Sequence, residues 1–201
     1  GLSENPVAMI ERLVDHLMEN FEFAEALRWY EELAQNVPRG HVRDGYLSRM
    51  QDVSLGRLGD EHAAERAIEL ADDKLPLVRA QIEYLRGKEQ RDAALEWMLE
   101  LAKLTEDMTP RRPVLADVVD YALEAPTRFT CVEQAIDLTD RPAPLIQRYI
   151  DILATTQDHE AVLDWLLRLA ELSTLQQERE VCFGRAMRVA LFDLERPDFA
   201  Q

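Results

Sequence analysis

Three tryptophan-led segments decide the fold of this chain: Trp29-Tyr30-Glu31-Glu32-Leu33-Ala34, Trp97-Met98-Leu99-Glu100-Leu101-Ala102 and Trp165-Leu166-Leu167-Arg168-Leu169-Ala170. They contain all three tryptophans of the sequence, and the interval from Trp29 to Trp97 equals the interval from Trp97 to Trp165. A second pair of segments follows the same interval, because Ala67-Ile68-Glu69-Leu70 returns as Ala135-Ile136-Asp137-Leu138. Self-similarity at a fixed interval is the sequence signature of a repeat architecture. The chain is therefore predicted to be an array of repeated units.

The interval between the tryptophans is twice a period of about 34 residues, and we call it the double period. The residues of the first single period predict a helical hairpin. Its first helix has apolar residues at helical spacing, namely Ile10, Leu13, Val14 and Leu17. The second helix opens at Ala26 and ends before Pro38. The double period then indicates that two variants of the hairpin alternate along the chain.

A helical hairpin of about 34 residues with these features resembles the tetratricopeptide repeat (TPR) family over essentially the whole chain. The first helices lack the Trp, the Leu-Gly pair and the Tyr of the family pattern, so a HEAT-like or other αα-solenoid geometry is the alternative. The resemblance implies an all-α, right-handed superhelical solenoid that forms a single domain over residues 1–201. We expect five hairpins and a final helix, at about 7–40, 44–76, 77–107, 111–142, 144–173 and 176–194. Because the final helix has no second helix after it, we expect a fragment of a longer repeat array.

The composition narrows the class of partner. Lys and Arg number 23 against 39 Asp and Glu, which gives a net charge of −16. Phosphates would be repelled, so we expect no nucleic-acid partner. A basic protein or a cationic polymer is the better electrostatic match, although acidic charge also serves simply to keep a surface soluble. No apolar run is long enough to cross a bilayer, so we expect no direct membrane insertion by this segment.

The sequence shows no arrangement typical of catalysis. The four histidines form no pair at helical spacing, and Cys131 and Cys182 are too distant to form a CxxC motif, which predicts buried free thiols. No phosphate-binding glycine motif and no nucleophile elbow is present. The tryptophans could stack on sugars, but their place on the second helices favours interhelical packing. We therefore expect no enzyme activity, no cofactor and no metal site.

The resemblance to the TPR family also implies where a partner binds, because the first helices of TPR hairpins line a concave groove. In the odd hairpins the candidate residues are mostly charged: Glu11, Asp15, Glu19, Arg79, Glu83, Arg86, Gln147 and Asp151. In the even hairpins they are mostly apolar: Leu47, Gln51, Leu115 and Val119. The final helix adds Phe183 and Met187. The alternative is that the apolar members pack against one another in a closed superhelix.

These features predict a non-catalytic protein–protein interaction scaffold in a larger assembly. The acidic, arginine-rich and degenerate repeats resemble the periplasmic TPR regions of bacterial Pel-type exopolysaccharide secretion proteins. That resemblance implies recruitment of a polysaccharide-modifying enzyme and guidance of the polymer, and it favours the periplasm over the cytoplasm. Two alternatives are open: direct binding of a cationic polysaccharide or peptide in the acidic groove, and a regulator that senses a peptide.

Overall fold

The computed structural model describes residues 6–124 and 129–195. Over these residues the chain forms eleven α-helices and no strand: α1 (Pro6–Glu19), α2 (Phe23–Asn36), α3 (His41–Val53), α4 (Glu61–Leu70), α5 (Leu75–Gly87), α6 (Arg91–Leu104), α7 (Met108–Leu123), α8 (Phe129–Leu138), α9 (Pro142–Thr156), α10 (His159–Leu172) and α11 (Gln176–Arg188). They follow one another as five hairpins and a final helix, which confirms the predicted all-α repeat fold. We call the first helix of each hairpin its A helix and the second its B helix. Hairpins one, three and five are the odd hairpins, and α11 is an A helix of the even type.

The helices belong to two compact units, Gly1–Trp97 and Met98–Gln201, and the division lies within α6. In the first unit, α2 packs against α1 and α3, α3 packs against α4, and α4 contacts α5. In the second unit, α7 packs against α8, and α9 packs against α7, α8 and α10. α11 packs against α10. Each unit is thus built from hairpins that pack against the next hairpin in sequence.

Each B helix has a short side chain at one matched position, and all five of these side chains are buried: Ala26, Ala64, Ala94, Val132 and Val162. A short side chain at a helix contact lets the two helix axes lie close together. More residues separate Ala26 from Ala64 than separate Ala64 from Ala94. The following two intervals, from Ala94 to Val132 and from Val132 to Val162, repeat this alternation. The uniform single period of the prediction therefore describes the A helices, whereas the B helices alternate between a longer and a shorter interval.

The longer interval arises in the even hairpins, because their A helices are longer or continue into a further helical turn. α3 continues into a π-helical turn, Ser54–Leu58, which ends at Gly59 in the left-handed conformation with φ 65°. The buried Ser54 hydroxyl donates to the Met50 carbonyl at 2.7 Å and so satisfies its polar group inside the core. α7, with 16 residues, is the longest helix of the described segments. The extra length moves the following B helix further along the sequence.

The odd hairpins turn in one common way. Phe21, Glu89 and Gln157 lie between the A and B helices, recur at the double period, and all have a positive φ of 59–62°. Residues other than glycine rarely adopt this conformation, so its recurrence at three matched positions shows a repeated turn geometry. The three side chains share no chemistry, and the turn is repeated in the backbone alone.

Trp165 is a packing residue of the second unit. Its ring lies 5.1 Å from that of Tyr149 on α9, in an edge-on arrangement, and the Arg168 guanidinium lies 4.6 Å above the indole. Trp165 is buried, while Trp29 and Trp97 are partly buried. This arrangement agrees with interhelical packing as the role of the repeated tryptophan.

A buried glutamine in α5 provides a test of the packing. Neither amide atom of the fully buried Gln81 has a hydrogen-bond partner among the described residues. We expect Gln81→Leu to stabilise the fold by roughly 1–3 kcal/mol, because it removes an uncompensated desolvation cost. Urea denaturation followed by circular dichroism measures this change in the free energy of unfolding.

Gln51 is the matched control, since it is equally buried but its Nε2 donates to the Leu77 carbonyl at 2.8 Å. Gln51→Leu loses that bond, so it is expected to destabilise the fold by about 0.5–1.5 kcal/mol. Equal effects of the two substitutions would contradict the assignment of Gln81 as the unsatisfied member.

Candidate functional site

The acidic residues predicted on α1 lie together on one exposed face. Glu11, Asp15 and Glu19 follow each other at every fourth position, which places them along one side of the helix, and all three are exposed. A Glu11 carboxylate oxygen accepts a hydrogen bond from the Tyr46 hydroxyl of α3 at 2.5 Å. Glu11 and Asp15 also line a small cavity of about 260 Å³ with Tyr46 and Arg49 of α3. The face of α1 is therefore an acidic ridge with one side held by α3.

Two tyrosines beneath the ridge have perturbed ionisation. Burial, reinforced by the hydrogen bond to Glu11 and by its negative charge, raises the pKa of Tyr46 to about 12. Burial also raises the pKa of Tyr30, an effect that Arg49 opposes through its charge and a hydrogen bond. Both phenols are therefore neutral over the ordinary pH range, and the Tyr46 hydroxyl remains a donor to the Glu11 carboxylate.

The three predicted residues of α5 differ from one another in charge and in exposure. Arg79 and Glu83 are exposed, and Arg86 is partly buried with its Nη1 3.8 Å from a Glu83 carboxylate oxygen. Opposite charges one turn apart on a helix surface attract each other weakly. This face of α5 is therefore electrically mixed, in contrast to that of α1.

In the second unit, the predicted residues of α9 are held by an arginine of α11. Gln147 donates to Asp151 at 2.7 Å, and Arg185 donates to the Gln147 amide oxygen at 3.2 Å. An Arg185 nitrogen lies 3.6 Å from Asp151. Arg185 occupies the same repeat position as Arg49, just as Gln147 and Asp151 occupy those of Glu11 and Asp15. In both units an odd A helix thus contacts the next even-type A helix, through Tyr46 and Glu11 in the first unit and through Arg185 in the second.

A larger cavity of the second unit belongs to this repeated contact. It has a volume of about 390 Å³, and its lining includes Gln147, Leu169 and Cys182. These three occupy the repeat positions of Glu11, Leu33 and Tyr46, which line the 260 Å³ cavity of the first unit. The cavity is larger where the smaller cysteine stands in place of the tyrosine. Burial raises the pKa of the Cys182 thiol, so Cys182 stays a neutral, weakly reactive wall of the cavity.

Four predicted groove residues are core residues. The side chains of Leu47, Gln51, Leu115 and Val119 are fully buried, so the prediction that they form an accessible partner surface is wrong. The physical reason is that α3 and α7 turn this side towards the following helices of their own unit: Gln51 bonds α5, and α7 packs against α8 and α9. Phe183 and Met187 of α11 are exposed.

Sequence reasoning missed the α3 and α11 residues that hold the odd A helices. Tyr46, Arg49 and Arg185 were not among the predicted groove residues, although each contacts one of them or lines a cavity with it. Arg49 and Arg185 could have been identified from the repeat, because the same residue type recurs two double periods later. The positions beside them are polar in both units.

The described residues include no group of three or more His, Cys, Asp or Glu side chains that could hold a metal ion. No helix among them is both long and apolar enough to span a membrane. Cys182 is buried and Cys131 partly buried, and neither forms a disulfide.

Comparison with known proteins adds little to this description. No protein-family model matches the chain, and no curated protein matches it. Two helical repeat structures are similar. The first, a circular tandem repeat protein with novel repeat topology and enhanced subunit contact surfaces, is 13% identical over 94% of this chain and 40% of its own, with a TM-score of 0.18. The second, a de novo designed helical repeat protein, is 18% identical over 96% of this chain and 94% of its own, with a TM-score of 0.20. At these values neither similarity bears on function.

The environment of Tyr46 predicts a loss of stability at alkaline pH. Its folded-state pKa of about 12 lies above the ordinary value of 10, so the fold favours the neutral phenol. The unfolded chain therefore ionises first, and the stabilisation falls as the pH rises from 10 towards 12. Urea denaturation at a series of pH values in this window measures the effect. In Tyr46→Phe we expect a shallower fall, and an unchanged slope would contradict the assignment.

Proposed function

We propose that this chain is a non-catalytic protein–protein interaction scaffold, and that the acidic ridge of α1 binds a basic segment of another protein. The observation that carries the proposal is the row of exposed carboxylates of Glu11, Asp15 and Glu19. A row at one-turn spacing on a rigid helix matches an extended or helical segment with Lys or Arg at a similar spacing. Charge-assisted hydrogen bonds would then fix the register of the bound segment.

The surroundings of the ridge favour binding at this place. The Tyr46 hydroxyl holds the Glu11 carboxylate in position, so less conformational freedom is lost when a partner binds. No hydrogen bond or ion pair of the described residues engages the Asp15 or Glu19 side chain directly. On α9, by contrast, Arg185 already compensates Asp151. The two units therefore offer different surfaces, and the first is the better receptor for positive charge.

The net charge of the chain acts at longer range. A charge of −16 attracts a basic partner before contact and raises the association rate at low ionic strength. The same charge would repel nucleic acids. The electrostatics of the whole chain and of the ridge thus favour the same class of partner.

We further propose that the scaffold acts in bacterial exopolysaccharide export, where it recruits a polysaccharide-modifying enzyme in the periplasm. Its support is the resemblance of acidic, arginine-rich, degenerate TPR-like repeats to the periplasmic repeats of Pel-type secretion proteins. The partner of this proposal is an enzyme whose docking segment is basic.

A second candidate function is direct binding of a cationic polysaccharide along the same ridge. The regular spacing of the three carboxylates favours it, because a polymer presents its charges at regular intervals. Binding that depends only on charge weakens steeply with salt, whereas docking that also buries apolar surface weakens less. Titrations with chitosan, and in parallel with a partner protein captured from cells, over a series of salt concentrations distinguish the two functions. A peptide-sensing regulator would instead bind a short basic peptide with a conformational response.

The test of the scaffold is charge reversal on α1. Glu11→Lys, Asp15→Lys and Glu19→Lys together should weaken binding of the captured partner roughly tenfold, since each exposed ion pair contributes roughly 0.2–1 kcal/mol. The partner is captured from cells of the native organism with the immobilised chain, and its affinity is measured by calorimetry. Asp15→Lys and Glu19→Lys should change the melting temperature little because both side chains are exposed, whereas Glu11→Lys should lower it because the buried Tyr46 hydroxyl loses its acceptor.

The matched control reverses three exposed acidic residues of the B helices α6 and α10: Glu96→Lys, Asp164→Lys and Glu171→Lys. Both triple variants change the net charge equally, so a specific ridge is expected to separate them. Equal weakening by the two variants would show that binding depends only on the net charge of the chain. Unchanged binding in both variants would exclude α1 as the receptor.

A further inference from the structure

The larger cavity of the second unit, between α9, α10 and α11, has a filled counterpart in the first unit. Its volume is about 390 Å³, and its floor includes the buried side chains of Leu169 and Cys182. Tyr46 of α3 holds the position of Cys182 two double periods earlier. A helical side chain leans over the turn that precedes its own Cα, so the Tyr46 ring covers the space that matches this cavity. An aromatic side chain of the chain itself thus occupies in the first unit what is empty space in the second.

Neighbouring hairpins do not close this cavity. On α11 its rim includes Glu178 and Val181, which match Val42 and Gly45 of α3. Although α4 packs against α3 in the first unit, Val42 and Gly45 remain exposed. On α9 the rim includes Ala143, which is exposed although α7 and α8 pack against α9. The opening therefore belongs to the repeat itself and does not depend on which hairpins precede or follow it.

A hydrogen-bond acceptor lies at the rim in the place where a phenol needs one. In the first unit, the Tyr46 hydroxyl donates to a Glu11 carboxylate oxygen at 2.5 Å. Gln147 holds the position of Glu11 and lines the cavity, and its amide oxygen accepts a hydrogen bond from Arg185 at 3.2 Å. An amide oxygen has a second lone pair, so it can accept from a further donor. The second unit thus offers an acceptor that matches the one used by the Tyr46 hydroxyl.

From this correspondence we infer that the cavity of the second unit binds the tyrosine side chain of a partner protein. The ring of that tyrosine packs on Leu169 and Cys182, in the space that the Tyr46 ring occupies in the first unit. Its hydroxyl donates to the amide oxygen of Gln147. The site lies in the second unit, so it does not depend on the proposed role of the acidic ridge of α1.

The charge at the rim selects the residues beside that tyrosine. Glu178 is the one charged side chain among the described residues that line the cavity. It is exposed and forms no ion pair with another described residue. An exposed carboxylate attracts a lysine or arginine of the bound segment, with the modest strength of a surface ion pair. The partner segment is therefore a tyrosine next to a basic residue.

Protection of a thiol measures whether the cavity is occupied. p-Cresol is the probe because it is the tyrosine side chain as a free molecule, and toluene is the control that lacks the hydroxyl. p-Cresol should slow the alkylation of Cys182 by iodoacetamide in a saturable way, and at lower concentration than toluene does. The rate at Cys131, which does not line the cavity, should not change, and peptide mass spectrometry resolves the two thiols. No protection of Cys182, or equal protection by toluene, overturns the inference.

Exchange of the two matched residues gives a reciprocal test. Cys182→Tyr fills the cavity with a side chain of the chain itself, so it should abolish the binding of p-cresol in an NMR titration. Cys182→Ala leaves the cavity open and is the matched control, which should bind p-cresol like the wild type. Tyr46→Cys opens the matched space in the first unit, so it should lower the melting temperature, and p-cresol should restore part of the loss. Binding that persists in a folded Cys182→Tyr chain, or no restoration in Tyr46→Cys, contradicts the inference.

Short peptides test the tyrosine together with its basic neighbours. The peptide Lys-Tyr-Lys, blocked at both ends, should bind more tightly than Lys-Ala-Lys, and Cys182→Tyr should remove the difference. Glu178→Gln should weaken the binding of Lys-Tyr-Lys about twofold to fivefold, the effect of one exposed ion pair, and should leave the binding of uncharged p-cresol unchanged. If p-cresol binds but Lys-Tyr-Lys binds no better than Lys-Ala-Lys, the cavity takes free phenols only, and the inference of a partner side chain is overturned.

Discussion

Close approach of the helices around short buried side chains is the constraint on which the rest of the structure depends. The tryptophan-led segments each end in an alanine, and Ala34, Ala102 and Ala170 are all buried. With Ala26 and its matched residues they leave room for a neighbouring helix at two places along a B helix. Larger side chains there would separate the helices and open the core, because protein interiors tolerate little change in volume.

This constraint explains why odd and even hairpins differ. In the even hairpins the A segment is longer, and the π-helical turn after α3 delays the next B helix. The even A helices then need apolar residues on the side that meets the following helices, as at Leu47 and Leu115. The odd A helices bear exposed charge, as at Glu11 and Asp151. The way the core is built therefore decides which side of each A helix can carry exposed charge.

The sequence was sufficient to predict the helices and their pairing, because the tryptophans, alanines and prolines recur at fixed intervals. The sequence was also sufficient to predict that Glu11, Asp15 and Glu19 are exposed, since three acidic residues on one side of a helix cannot be buried together. It was not sufficient to predict that Leu47 and Val119 are buried, because their exposure depends on helices that lie further along the chain. Tyr46 was missed because a cysteine occupies the matching position in the second unit, so the repeat gave no warning. The turns at Phe21, Glu89 and Gln157 share a conformation without sharing a residue type, and only the backbone reveals them.

The alternation of longer and shorter intervals between B helices has a consequence for how such a chain can lengthen. A single hairpin cannot be copied or removed without placing two hairpins of the same type side by side, and their A faces would not match. A pair of hairpins can be inserted or lost while odd and even hairpins continue to alternate. The heritable module of this architecture is therefore the pair, and evolutionary growth or laboratory shortening of the array should proceed by whole pairs of hairpins.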